Sequence, residues 1–220
     1  MKDNILHWVI SLFFPQQCIE CKTIQKNIIC NECLQKVTQN TSVKNITQKI
    51  SIDYYFSYDS TIKEILHQIK FKKSIELAQE FAKEIAALPL PQEIQDKIED
   101  HWIVIPIPSH PKRIKSRGFN HVSILFGDWI VEKNLVTLPL LKRKKHTQAL
   151  FNLNPKERED EVKDAFELLY PENVKNKNIL LIDDIATSGT TLAEAHRLLT
   201  CHGAKKIKAL TIAYTPKPGS

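Results

Sequence analysis

Glycine is scarce in this chain, at 5 of 220 residues. A collagen-like repeat is excluded, and each glycine marks a place with a special backbone need. Long apolar runs are missing as well. No segment reaches the roughly 18–20 apolar residues that cross a bilayer, so a multi-span membrane protein is excluded. There is no internal repeat, and the GxxxxGK[ST] pattern of a Walker loop is absent. What is present is ordinary for a globular protein. The chain is 42% apolar and 25% charged, too apolar to stay disordered. Its length suits one good-sized domain, or one domain plus a small module.

Positive charge is in modest excess, 31 Lys+Arg against 25 Asp+Glu, for a net +6. That balance permits contact with nucleic acid, anionic lipid or phosphorylated metabolites. It suits a solvated lysine-rich surface equally well. An apolar run, Ile5 to Phe14, contains His7 and is followed by Pro15 rather than a small-residue cleavage site. It does not read as a signal peptide. It reads as a short helix packed on the body, or as a peripheral membrane contact through residues 5–14.

Four of the five cysteines fall within 16 residues, as Cys18-x-x-Cys21 and Cys30-x-x-Cys33. Each CxxC turn aims two thiolates at one point, and two turns complete a tetrahedral Zn²⁺ site. A disulfide pair fits poorly, because the rest of the chain does not look secreted. A redox CxxC needs a thioredoxin-like context that is missing. Four sulfurs close the coordination sphere, so the expected zinc is structural. Cys201, alone on a C-terminal helix, is expected to be a buried small residue.

Along the chain, residues 39–50 read as a polar linker. Tyr54 to Tyr58 reads as a strand, and two amphipathic helices follow on Ile62, Ile65, Leu66, Ile69 and on Leu77, Phe81, Ile85, Leu88. Trp102 to Ile105 reads as a buried strand, followed by a basic loop and a helix over about 119–133. Residues 138–141 suggest a strand, and 142–165 a mobile lid-like excursion. Ile179 to Ile182 is a central strand, Thr191 to His202 a helix, and Ile207 to Tyr214 the last strand. Strands alternating with helices predict a parallel α/β sheet.

The most informative stretch is Ile179-Leu-Leu-Ile-Asp183-Asp184-Ile-Ala186-Thr187-Ser188-Gly189-Thr190-Thr191. Two carboxylates emerge from a buried strand, and a small hydroxyl-rich loop opens a helix. Ligands of open α/β sheets bind at this end of the strands. Amides at a helix start attract an anion. A phosphomonoester fits Ala186 to Thr191. Asp183 and Asp184 suit sugar hydroxyls, directly or through Mg²⁺. The predicted ligand is a 5-phosphorylated ribose. The plainer reading is a capped helix, with Thr191 and Glu194 as a capping box.

This stretch resembles the phosphoribosyl pyrophosphate signature of type I phosphoribosyltransferases. Ile105-Pro-Ile-Pro-Ser-His-Pro-Lys112-Arg113 with Arg117-Gly118-Phe119-Asn120 is similar to a stretch of the ComF family, associated with competence and DNA uptake. The cysteines and Tyr58…Ile69-Lys70-Phe71 match that family too. His121 departs from it, standing where Gln is common after RGFN. Lys63 and Glu161 depart likewise, from Arg and Asn. The resemblance implies an α/β fold with a type I phosphoribosyltransferase-like parallel sheet flanked by helices. It also implies a small N-terminal four-cysteine zinc module. Residues 1–40 would hold the apolar helix and that module, and 50–216 the larger domain. Cys18, Cys21, Cys30 and Cys33 would hold zinc. Asp183 and Asp184 would serve as catalytic residues on the ribose hydroxyls. Ala186, Thr187, Ser188, Gly189, Thr190 and Thr191 would bind the 5-phosphate. Lys112, Arg113 and Arg117 would face pyrophosphate, with Mg²⁺ accompanying the ligand.

Three functions stay open on these grounds. One is a cytoplasmic competence factor that binds phosphoribosyl pyrophosphate and handles incoming single-stranded DNA, at or near the inner face of the membrane. Lys142, Arg143, Lys144 and Lys145 are its candidate nucleic-acid contacts, and a DNA-uptake protein such as a helicase is a candidate partner. The second is an active phosphoribosyltransferase acting on an unidentified base. The third is a regulator that senses phosphoribosyl pyrophosphate. An oligomer is compatible with all three.

Overall fold

The computed structural model describes residues 17–25, 29–38, 41–47, 50–96, 101–145 and 155–215. The apolar run 5–14 lies outside them. Six strands form the main sheet in the order β1-β2-β8-β7-β3-β4. They are β1 (Lys44–Thr47), β2 (Ser51–Ser57), β3 (Trp102–Pro106), β4 (Val136–Thr137), β7 (Asn178–Ala186) and β8 (Lys206–Tyr214). Only the β1–β2 pair is antiparallel. Two short strands, β5 (Leu141–Arg143) and β6 (Phe166–Leu168), make a separate antiparallel ribbon. The helices are α1 (Asn31–Thr38), α2 (Ser60–Phe71), α3 (Ile75–Ala86), α4 (Gln92–Gln95), α5 (Pro111–Arg117), α6 (His121–Glu132), α7 (Pro155–Val162) and α8 (Thr190–Cys201).

Both predicted amphipathic helices form, and capping explains their starts. The Asp59 carboxylate accepts from Ile62 N–H at 2.9 Å, and the Ser74 hydroxyl from Leu77 N–H at 3.3 Å. Ile62, Ile65, Leu66 and Ile69 are buried on α2, and Leu77, Phe81 and Ile85 on α3. Each such burial contributes about 1.5–3 kcal/mol. The polar ends of two buried aromatics are satisfied by one turn. Tyr55 donates to Pro89 O at 2.7 Å, and Trp129 donates to Leu88 O at 3.1 Å.

Strand alternation divides the core into two layers. Val104, Leu180, Ile182, Leu210 and Ile212 join a cluster with α2, α3 and α6, while Ile105, Ile179, Leu181 and Ala209 join one with α8 and the ribbon. The two sets sit on opposite faces of the sheet, because strand side chains alternate.

Several boundaries differ from the sequence reading. The supposed linker contains the edge strand β1, paired from Lys44↔Tyr54 to Thr47↔Ser51. The loop after β3 instead forms α5. Pro111 begins it, the His110 ring accepts from Lys112 N–H at 3.2 Å, and Gly118 at φ 93° closes it with a bond to Ile114 O of 2.7 Å. The strand suggested at 138–141 splits into β4 and β5. Parts of the excursion 142–165 are ordered as β5 and α7, and residues 146–154 lie outside the described residues. Cys201 is exposed rather than buried, because it falls on the outer side of the last turn of α8.

Candidate phosphoribosyl site and cysteine cluster

Strand β7 runs on past Ile182 to Ala186, so both acids lie within a strand and not in a loop. Adjacent strand residues point to opposite faces. Asp184 therefore falls on the α2/α6 face, and Asp183 on the α8/ribbon face. The two environments differ accordingly. Asp184 is buried and forms an ion pair with Lys70 at the end of α2. It also contacts His121 Nε2 at 3.1 Å. Burial alone would raise its pKa, but Lys70 and His121 hold it well below the ordinary carboxylate range. Asp183 is half-buried. Burial and the Asp184 charge push its carboxyl up to about 8. Neighbouring carboxylates in unlike surroundings divide in this way, one ionised and one keeping its proton.

The loop behind the acids turns at Gly189, whose φ of 66° is left-handed, and a Cβ there would meet Ile52 Cδ1 at 3.0 Å. Gly189 is also the N-cap of α8, and no side chain caps it. The capping box expected of Thr191 and Glu194 does not form. Glu194 instead accepts from Arg197 and from Asp164 N–H. The buried hydroxyls of Ser188 and Thr190 bond to each other at 2.8 Å. Ala186 is buried, and Thr187 and Thr191 are half-buried.

The basic residues separate. Lys112 is exposed and Arg113 half-buried. Arg117 turns inward. Its Nε donates to Lys70 O at 3.0 Å, and its guanidinium touches His121 Nδ1. The run Lys142 to Lys145 is not one patch. Alternation on β5 buries Arg143, which lies over the Phe166 ring at 5.4 Å and within electrostatic reach of Asp183, Arg113 and Glu161. Lys142, Lys144 and Lys145 stay exposed, with Lys142 near Glu167 at 3.5 Å. Arg143 is thus brought toward the acid pair rather than held on an outer surface.

Lys70 and His121 were not singled out as site residues by sequence reasoning. Lys70 lies in a matching stretch, but nothing local to it signals an acid partner. A cleft of about 430 Å³ lies elsewhere, between the cysteine module and β2, lined among others by Glu20, Lys36, Lys44 and Asp59.

The four cysteine sulfurs lie within 4.8 Å of one another, and Cys21 and Cys30 Sγ are 3.7 Å apart. With Zn–S bonds of about 2.3 Å, sulfurs of a tetrahedral site stand about 3.8 Å apart. Amides of Cys30 and Cys33 each donate to a cysteine sulfur at 3.4 Å. Burial and the neighbouring thiols push Cys33 up to about 12, the repulsion that a bound dication removes. The cluster therefore fits a metal ion.

Comparison with known proteins bears on this arrangement. Residues 142–219 match the phosphoribosyl transferase domain family. Competence protein F of Haemophilus influenzae is 29% identical over 172 residues, covering 76% of this chain and 66% of that protein. Competence protein ComFC of Streptococcus pneumoniae is 25% identical over 198 residues, covering 90% and 80%. DNA utilization protein YhgH of Shigella flexneri is 23% identical over 206 residues, covering 90% and 84%.

These likenesses support a ComF family assignment.

The chain spans just under two thirds of the Haemophilus protein and more of the other two. The fold class expected for this family is present: a mostly parallel sheet flanked by helices, with a four-cysteine cluster at its N-terminal side. The phosphoribosyl transferase domain implies a phosphoribosyl-type ligand. Among the described residues, no helix is long and apolar enough to cross a membrane.

Proposed function

We propose that this protein binds phosphoribosyl pyrophosphate or a related phosphoribosyl ligand and assists the handling of incoming single-stranded DNA in competence. The ligand half of this reading is carried by one juxtaposition. Half-buried Asp183 lies in the last half of central strand β7, and the glycine-opened start of α8 follows with no side-chain cap. The amides of α8 attract a phosphate, and Asp183 accepts from sugar hydroxyls. Arg113 and Lys112 supply cations on the pyrophosphate side, with Mg²⁺ accompanying the diphosphate. Arg117 adds positive charge beside them, within electrostatic reach of Arg113 while bonded to Lys70 O and His121. The competence half is supported by the names of the relatives, two of them competence proteins and one a DNA utilization protein. A cytoplasmic place of action and a partner such as a helicase belong to this reading.

The test is a phosphorus NMR time course with phosphoribosyl pyrophosphate, Mg²⁺ and a metabolite extract. Shifted but unconsumed ligand is the expected result, and unperturbed resonances would refute the ligand half. Release of pyrophosphate would instead support the second reading, an active phosphoribosyltransferase. That reading is favoured by Arg143, which is buried in the β5–β6 ribbon within electrostatic reach of Asp183.

Direct DNA contact makes a separate prediction. Reversing Lys142, Lys144 and Lys145 to Glu, with Arg143 kept, lowers single-strand affinity at least about tenfold at low salt. Wild-type affinity that ignores salt would leave a protein partner as the link to DNA.

A further inference from the structure

We infer that His121 is the positioning residue of the acid pair: a neutral ring that accepts from Arg117, donates to Asp184, and so leaves the Asp183 carboxyl group as the one offered to ligand. This rests on the phosphoribosyl reading for its ligand, but not for its hydrogen bonds.

The donor inventory fixes the ring's state. A guanidinium has only donors. Arg117 touches His121 Nδ1, so that nitrogen must present its lone pair. Nε2 then carries the proton and donates to Asp184 Oδ2, 3.1 Å away. Adding a second proton would set an N–H against the guanidinium. His121 is only 4% exposed, and burial lowers its pKa despite the pull of Asp184.

The contacts close a circuit. Arg117 Nε donates to Lys70 O at 3.0 Å, and the Lys70 ammonium pairs with Asp184. Four residues from α2, α5, α6 and β7 each hold two others. Asp184 is thereby neutralised inside the protein by Lys70 and the His121 N–H. The circuit also orients the end of α5 against the end of α2. Asp183, on the opposite face of β7, borders the circuit: it accepts from Asp184 N–H at 2.9 Å and lies within electrostatic reach of Lys70.

A glutamine side chain has the same polarity, with a carbonyl to accept from Arg117 and an amide to donate to Asp184. Leucine has comparable bulk and neither function. His121→Gln is therefore expected to bind phosphoribosyl pyrophosphate within about threefold of wild type, and His121→Leu to lose about 30-fold, the effect of a lost hydrogen bond to a buried charge. Equal affinity in both variants would overturn the inference, since a purely space-filling role does not distinguish them. The ring state is read independently, from nitrogen NMR of the ligand-free full chain. A protonated Nε2 with a bare Nδ1 at neutral pH is expected. A protonated Nδ1 would overturn the inference even if His121→Leu failed to fold. If wild-type protein showed no affinity for phosphoribosyl pyrophosphate, the ligand reading would fall and this nitrogen spectrum would still decide the circuit.

Discussion

Purified protein is expected to carry about one zinc per chain, and removing it with a strong chelator should lower Tm by roughly 10 °C or more. The size of the effect follows from where the cysteines pack. Cys18, Ile29, Cys33 and Leu34 belong to the same buried cluster as Leu66, Phe81 and Trp129. Thr38 donates to Glu84 at 3.1 Å and Thr61 to Glu20 at 2.8 Å, which ties the module to α3 and α2. Loss of metal frees four crowded thiols and with them one wall of the main core. Cys30→Ser should reproduce the loss, whereas Cys201→Ser, at an exposed position, should leave Tm within about 1 °C. Metal analysis far below one zinc, together with an unchanged Tm after chelation, would reject the site.

The two acids should respond differently to the same substitution. Asp183→Ala is expected to abolish binding of phosphoribosyl pyrophosphate, with a loss of at least about 100-fold and little change in Tm, because it removes a ligand acceptor with no protein ion pair. Asp184→Ala should instead cost about 3 kcal/mol of stability. It strands the Lys70 ammonium and the His121 N–H, and Lys70 is partly exposed at 20%, which keeps the cost at the lower end. Isothermal titration and thermal melts of both variants separate the roles. Tight binding by Asp183→Ala would move the sugar site elsewhere.

The pH dependence carries opposite signs for the pair. Asp183 is pushed from 3.8 to about 8. The folded state then binds the extra proton, so its contribution to stability declines as pH rises from about 4 to about 8. Asp184 has a lowered pKa, and its contribution is present above the ordinary carboxylate range and lost as pH falls below it. Melts of wild type and Asp183→Asn between pH 4 and 9 check this, and the variant should show the flatter profile. An identical profile would show that Asp183 ionises normally.

Much of the fold and of the metal site was legible in residue type and spacing. Two CxxC pairs eight residues apart leave few options other than one metal site, and the sulfurs do converge within 4.8 Å. Apolar spacing at 62–69 and 77–85 was enough to name two helices, because periodic burial outweighs weak local preferences. The run Ile179 to Ile182 identified the central strand, and Gly189 its turn. What the sequence could not convey was the length of that strand. Charged residues ordinarily end a buried strand, but here distant cations make an ionised Asp184 tolerable inside one. Neighbouring acids that look like a matched pair were thereby divided between two faces of the sheet. The same alternation turned Arg143 inward and left the lysines beside it in water. Lys70 and His121 reach Asp184 only when α2 and α6 pack on the same face of β7. Residue type and spacing are local properties of the chain, whereas the charge state of a buried carboxylate depends on whichever helices the completed sheet brings against it.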